Sequence, residues 1–433
     1  MYNDYRLCYD VTKVEESMSK IVNLARAWLT RNRRPFIFTD KNDEELIYMD
    51  CENLGLYVHI PFCKSICSFC PYCKTIYDKE KCNSYIDSLL REIELVCKGK
   101  PKKDVTSLYF GGGTPVLALD RLEDIISALE KHFNICDGIG VELHPSNVDV
   151  DTLRKLKSIG VTKISIGIQS FQKKYQNILG RNDIDIRKMA DALKQVHFET
   201  VSMDFIFALP TQTADDLKKD IDVAFESGAN HIAIYPFIDF TFTKSSVKEM
   251  PKKEKRKLLD EITNYCYQKG LKRDSIWTFS KDDKARYSSM TRDCFLGFGC
   301  SATTLLKDSF KINTFDTDAY CEKVIENTLP TSLTIKFTLR QRMVYYLFWK
   351  AYSTQVDSRD FEEFFEKKLS RYYGFELFLM KAFGLIKESN KVYKMTLKGA
   401  FYYHYFENFY TLSYIDKMWS VMRKEAFPKR IEL

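Results

Sequence analysis

Between residues 54 and 280 the chain alternates two textures, and this alternation constrains the fold more than any other feature. Short apolar runs rich in β-branched and aromatic residues stand at 54–60, 107–110, 140–143, 163–168, 201–207 and 231–236, with a further short run at 275–279. Stretches with helical periodicity separate them, at 82–96, 119–132, 150–159, 186–197, 213–227 and 252–269. Strands that alternate with helices of this length pair in parallel through right-handed crossovers. Six or seven such units predict an α/β fold, a partial (β/α)6-type barrel. In such folds ligands collect at the carboxyl ends of the strands, so residues far apart in sequence can meet there.

The segment after the first run is Tyr57-Val-His-Ile-Pro-Phe-Cys-Lys-Ser-Ile-Cys-Ser-Phe-Cys-Pro-Tyr-Cys73. Thiolates are soft ligands that suit iron–sulfur clusters or zinc. The C-x3-C-x2-C spacing of Cys63, Cys67 and Cys70 can hold three corners of a cubane cluster and leave the fourth iron open. A zinc knuckle that recruits Cys73 as fourth thiolate is the plainer alternative. About forty residues on, the second run breaks into Gly111-Gly112-Gly113-Thr114-Pro115, a loop where backbone must approach something closely and where glycine amides can face a polar ligand group.

A strand, this cysteine loop and GGGTP one βα unit later resemble the radical S-adenosylmethionine (SAM) superfamily. The resemblance narrows with Glu142-Leu-His-Pro-Ser, Ser165-Ile-Gly-Ile-Gln-Ser-Phe171 and Asp204-Phe-Ile-Phe-Ala-Leu-Pro210, which follow in order. Together the motifs look like the oxygen-independent coproporphyrinogen III dehydrogenase branch. That branch's relatives include heme chaperones and the class C radical SAM methyltransferases and cyclopropanases. The match covers roughly residues 50 to 305, and a weaker one continues to the C-terminus.

The resemblance implies that Cys63, Cys67 and Cys70 bind a [4Fe–4S] cluster whose open iron chelates SAM. Reduction would cleave SAM to methionine and a 5′-deoxyadenosyl radical, with the protein supplying geometry and excluding water. It implies Phe69 against the adenine and Tyr57 near the sulfonium. Gly112, Gly113 and Thr114 would meet the methionine end, and Glu142 a cationic or hydroxyl-bearing part of SAM, Tyr57 and Glu142 being the expected catalytic pair. Gln169, Arg181 and Asp204 match positions that contact a second SAM; a guanidinium at Arg181 suits a carboxylate. Asp204 lies in an apolar strand, where an unpaired charge is costly, so it needs a partner, with a ligand expected. The implied activity is oxidative decarboxylation of a tetrapyrrole, with methyl or methylene transfer using two SAM molecules and non-catalytic heme binding as alternatives. Pro71-Tyr72-Cys73 departs from the dehydrogenase pattern, which carries a short Gly-Cys there, and is more like divergent relatives with other substrates.

Other residues read plainly. Cys73 is expected to be a small buried residue, His59 to fix the cysteine loop, and His404 to be a packed core histidine. Cys294, Cys300 and Cys321 fit no ligand spacing. The Gly-x-Gly-x-Ser-Ala loop at 297–302 resembles one that closes over the SAM site. Residues 337–352, 358–373 and 375–383 read as helices and 385–395 as a hairpin turning at Ser389-Asn390, together a winged-helix-like module that covers the site. The expected division is an N-terminal extension (1–50), the barrel (51–305) and the C-terminal domain (306–433). The extension carries a helical pattern at 14–29 and extended pieces at 35–39 and 46–49.

At 433 residues the chain exceeds a usual single core. Its 66 basic and 59 acidic residues give a net charge of +7, too mild to argue for nucleic acid. No apolar stretch approaches the roughly 18–20 residues of a membrane span. The first residues lack a signal peptide's charged start and apolar core, and thirteen cysteines without dense spacing suggest a reducing compartment. A cytoplasmic monomer is expected, with a small-molecule substrate, a flavodoxin or ferredoxin as reductant, and no nucleic-acid or membrane partner.

Overall fold

The computed structural model describes residues 20–41, 45–181, 184–243, 247, 250–281 and 293–433. Its centre is a run of parallel strands in chain order: β1 (Leu54–Ile60), β2 (Leu108–Gly112), β3 (Ile139–Leu143), β4 (Val161–Gln169), β5 (Thr200–Phe207) and β6 (His231–Pro236), each beside its predecessor. The strands are buried along nearly their whole length, with β1 reading Leu54, Leu56, Val58 and Ile60 inward at 0–3% exposure. Helices fill the crossovers at Lys79–Cys97, Leu119–His132, Val150–Ser158, Ile186–Gln195 and Ala214–Glu226. Their starts are written in sequence. Asp78, Asp149, Asp185 and Thr213 cap first-turn amides, and Thr213 forms a reciprocal box with Asp216.

Two expectations about the sheet need correction. The run at 275–279 is not a seventh parallel strand: Thr278–Ser280 lies antiparallel to β6, because Asp274–Trp277 forms a tight turn first. The seventh parallel strand is β7 (Cys294–Phe298), beside β1 on its other edge. Gly297 lets the strand Thr303–Leu305 lie close against the other edge of β7, since a Cβ at that position would collide with the backbone of Thr303. Hydrogen bonding does not stop at residue 305. Strands Thr303–Leu305, Ser309–Asn313, Thr331–Lys336, Ile37–Thr39 and Arg430–Glu432 extend the same sheet, antiparallel, so segments remote in sequence share its far edge.

The helical C-terminal region holds a small sheet of Gln355–Asp357, Val392–Met395 and Ile386–Ser389. The hairpin pairs Ser389 with Val392, and Asn390 and Lys391 both have positive φ, the tight two-residue turn one residue beyond the expected position. The helix expected over 358–373 is two: Ser358–Phe365 ends at Glu366 in the left-handed region, and Leu369–Ala382 follows with a kink at Tyr373. The aromatic helix expected around His404 runs over Leu397–Tyr410.

The described part of the N-terminal segment is a helix (Lys20–Thr30) and the strand Ile37–Thr39; residues 46–49 are buried at Leu46 and Tyr48 without forming a strand. Trp28 Nε1 and Arg31 Nη2 both donate to Glu376, tying this helix to the C-terminal region. The helical pattern at 14–19 and residues 287–292 of the glycine-loop segment lie outside the described residues. Among the described residues no helix is long and apolar enough to cross a membrane.

Candidate active site at the strand carboxyl ends

The cysteine loop leaves β1 at Pro61. Cys63, Cys67, Phe69 and Cys70 are half-buried, and Lys74 clamps the loop by donating to the carbonyls of Cys67 (3.0 Å) and Cys70 (2.7 Å). Burial first, and the neighbouring Cys70 second, push the Cys63 thiol up to about 11, while the Thr114 hydroxyl and the Lys74 ammonium act against this. Cys73 is not a fourth member. Its Sγ is buried, donates to the Phe315 carbonyl at 3.1 Å and lies 3.9 Å from Cys300 Sγ.

The glycines of GGGTP are needed for packing against this loop. A Cβ on Gly112, where φ is +111°, would stand 2.6 Å from the His59 ring, and one on Gly113 would stand 2.5 Å from the Phe62 carbonyl oxygen. The amides expected to face a ligand are already engaged: Gly112 N donates to Glu142, Gly113 N to Ile60 O and Thr114 N to Phe62 O. The segment's carbonyl oxygens are the acceptors that an ammonium-bearing ligand would require.

Glu142, at the end of β3, is held by both oxygens. Tyr109 donates its hydroxyl to Oε1 at 2.7 Å, and Gly112 N reaches Oε2 at 3.2 Å. Burial raises its pKa, and these two bonds pull it back toward the ionised form. Tyr57 stacks on Tyr109 with ring centroids 6.1 Å apart, and its hydroxyl meets His59 Nδ1 at 3.0 Å. The sequence reading missed Tyr109. Its signal is its register, directly beside Tyr57 in the parallel pair.

A second group lies on β4 and β5. Gln169 ends β4 with φ +69° and shifts the register against β5, which aims its amide at Gly167; a Cβ there would be 3.0 Å from Nε2. Arg181 Nη1 donates to the Gly167 carbonyl at 2.5 Å, and the guanidinium stands 5.8 Å from the Phe69 ring centroid. Its buried Nε has no hydrogen-bond partner, and it forms no ion pair with a carboxylate among the described residues. Burial, Arg181 and Lys64 hold His144 down to about 4, so its imidazole is neutral near pH 7. Asp204, expected to need a partner, has two in the fold: Ser165 Oγ donates at 2.7 Å and Ser202 Oγ at 3.1 Å. Burial raises it to about 7, the two hydroxyls opposing and the charge of Glu142 adding.

The C-terminal helices reach this region. The Arg423 guanidinium donates to the Pro71 carbonyl, Trp419 lies 6.2 Å from Tyr72, and Asp416 accepts from Thr241 N and Oγ1. Glu407, also unread in sequence, accepts from Trp277 Nε1 at 3.0 Å, and burial pushes it up to about 8. His404 lies edge-on to Trp277, as a packed core ring does.

These residues fit the cluster and SAM of the resemblance. Among the described residues the cysteine-loop thiols are not gathered as ligands of one ion; the only His, Cys, Asp or Glu group with ligand atoms within 4.8 Å of one another is His59, Cys73 and Cys300. That disfavours the zinc knuckle and leaves the three soft donors to a larger group. Among the described residues the buried Arg181 Nε has no hydrogen-bond partner, a donor of the kind an anionic ligand requires.

Comparison with known proteins agrees. The family described as Radical SAM superfamily matches residues 57–224, and that family uses a [4Fe–4S] cluster and SAM. The chain is 25% identical over 362 residues to the heme chaperone HemW of Bacillus subtilis, covering 79% of this chain and 95% of that protein. It is 25% identical over 388 residues to the oxygen-independent coproporphyrinogen III oxidase of Synechocystis sp., covering 80% and 82%. The solved coproporphyrinogen III oxidase (HemN) of Escherichia coli superposes with a TM-score of 0.72 at 21% identity, over 88% of this chain and 98% of that one, a shared fold.

Proposed function

On the premise that this chain is a radical SAM superfamily protein, with that family's domain over residues 57–224, we propose that it is an oxidoreductase acting on a carboxylate-bearing tetrapyrrole in the manner of the coproporphyrinogen III oxidases. When bound, the cluster supplies the electron that opens SAM to radical hydrogen abstraction. Cys63, Cys67 and Cys70 hold the cluster, and Lys74 fixes the loop that carries them. Glu142, pinned by Tyr109 and Gly112, orients SAM beside Tyr57, and carbonyl oxygens of the Gly112–Thr114 segment take its ammonium group. Phe69 offers a ring to the adenine.

The observation that carries the reading is Arg181: a guanidinium whose buried Nε has no partner among the described residues, seated over Phe69 of the cysteine loop. A planar fork in that position suits a carboxylate, from the substrate or from a second SAM. Gln169 at its strained position adds an amide to the same wall. The helices from 397 to 422, anchored at Thr241 and Pro71, act as a cover that keeps water out. A flavodoxin or ferredoxin would deliver the electron to a cytoplasmic monomer.

A second reading, heme binding without turnover, is favoured by the coverage of the HemW relative, 95% of its length. One anaerobic experiment separates the readings. Cluster-reconstituted protein, SAM and reductant are incubated with and without coproporphyrinogen III, and nucleosides and tetrapyrroles are quantified by mass spectrometry. Deoxyadenosine that rises with substrate, with vinyl products, supports the oxidase. S-adenosylhomocysteine formed without vinyl products indicates methyl transfer. An intact cluster that yields no deoxyadenosine, with a heme Soret band on titration, indicates the chaperone.

A further inference from the structure

The buried trio behind the cysteine loop has no part in the chemistry above. His59 is on β1, Cys73 is three residues beyond Cys70, and Cys300 is in the glycine loop after β7; they are 3%, 5% and 0% exposed. Their ligand atoms lie within 4.8 Å of one another, and the two sulfurs are 3.9 Å apart. Two thiolates on a tetrahedral zinc-class ion, with bonds of about 2.3 Å, are separated by roughly 3.8 Å. The spacing is already that of a metal-bound pair.

We propose that His59 Nε2, Cys73 Sγ and Cys300 Sγ form a structural site for a zinc-class divalent cation, separate from the cysteine-loop cluster. The imidazole is oriented for it. Tyr57 occupies Nδ1 at 3.0 Å, which leaves Nε2 as the nitrogen for the ion; it meets Cys73 O at 3.0 Å and Ser301 Oγ at 3.4 Å. A hydrogen-bonded distal nitrogen is the arrangement that fixes a ligating histidine. The fourth position has an oxygen donor at hand in Ser301 Oγ or in the Phe315 carbonyl, 3.1 Å from Cys73 Sγ.

Cys300 is placed with little freedom. Its own N–H donates to the Tyr85 hydroxyl at 2.9 Å, and the neighbouring Gly299 N donates to Glu92 at 2.7 Å. The Tyr85 hydroxyl also donates to the His59 carbonyl, so two of the three ligands hang on one buried phenol. Binding balances simply: the cation displaces two thiol protons to solvent, and the neutral imidazole and two thiolates leave the buried site uncharged. The ion would staple β1, the exit of the cysteine loop and the glycine loop.

The test uses the full chain with Cys63, Cys67 and Cys70 all replaced by Ala, titrated anaerobically with Co2+. One equivalent should bind, with thiolate charge-transfer absorption, tetrahedral d–d bands and release of two protons, and Zn2+ should displace it. Adding Cys73→Ser and Cys300→Ser should weaken binding at least 100-fold and remove the charge-transfer band. A folded triple variant without that band overturns the proposal, as does a band that survives the two serine substitutions. So does recovery of Cys73 and Cys300 as a metal-free disulfide from anaerobically prepared protein. If the triple variant does not fold, cluster-reconstituted wild type and Cys300→Val are compared for zinc by elemental analysis. One zinc per chain in the first and none in the second supports the site; equal content in both overturns it.

Discussion

The Tyr109 hydroxyl and the Glu142 carboxylate are joined by a 2.7 Å hydrogen bond between the ends of neighbouring parallel strands. Among the described residues one other donor, Gly112 N, holds that carboxylate. Tyr109→Phe leaves one oxygen of a buried acid without its donor and frees the side chain to turn. SAM affinity of the reconstituted protein should fall about tenfold by calorimetry, with a stability loss on the order of 1 kcal/mol. Unchanged affinity would separate Glu142 from SAM binding.

The glycines make a pair of contrasting tests. At Gly113 an added Cβ meets the Phe62 backbone, whereas at Gly180 nothing lies within 4 Å but φ is +65°. Gly113→Ala should cost upwards of about 3 kcal/mol, because backbone must move. Gly180→Ala should cost about 1–2 kcal/mol, the price of left-handed strain alone. Chemical denaturation of both variants checks the order.

Asp204 gives the pH dependence. Its folded value of about 7 lies above the ordinary 3.8, so between those values the native chain keeps a proton that the unfolded chain has released. Stability from this group is therefore lost as pH rises from about 4 through 7, and the penalty is complete above that. Asp204→Asn should gain stability over wild type on the order of 2–4 kcal/mol at pH 8 and little at pH 4.5. Parallel melts at the two values decide it; a gain independent of pH would mean that the carboxyl is not protonated in the fold.

Arg181→Lys keeps a charge but loses the planar fork. Affinity for the carboxylate-bearing ligand should drop about tenfold, and in Arg181→Met about 100-fold, with melting temperatures close to wild type because among the described residues the guanidinium's one hydrogen bond is to the Gly167 carbonyl. Equal binding by all three would leave Arg181 a packing residue.

Cys67→Ala removes one of three thiolates. Iron content and the brown absorbance of the reconstituted protein should be lost together with SAM cleavage. Cleavage that persists in this variant would remove the central assignment.

Glu142, Gln169, Arg181 and Asp204 stood out only through the resemblance, whereas the sequence by itself determined the alternation that becomes β1–β6 and the cysteine loop at the end of β1. These are local signals: periodicity, capping residues and glycine placement act over a few positions and survive without knowledge of distant neighbours. Tertiary structure alone decided what those groups touch. Ser165 and Ser202 meet Asp204; Tyr109 holds Glu142; and β7 joins β1 across more than two hundred residues of chain. Cys300 fits no ligand spacing with its sequence neighbours, yet it stands 3.9 Å from Cys73. The physical reason is common to all of these. Strand pairing and burial fix partners by register and close packing between segments remote in sequence, and a single chain read along its length carries no record of which segments will lie side by side.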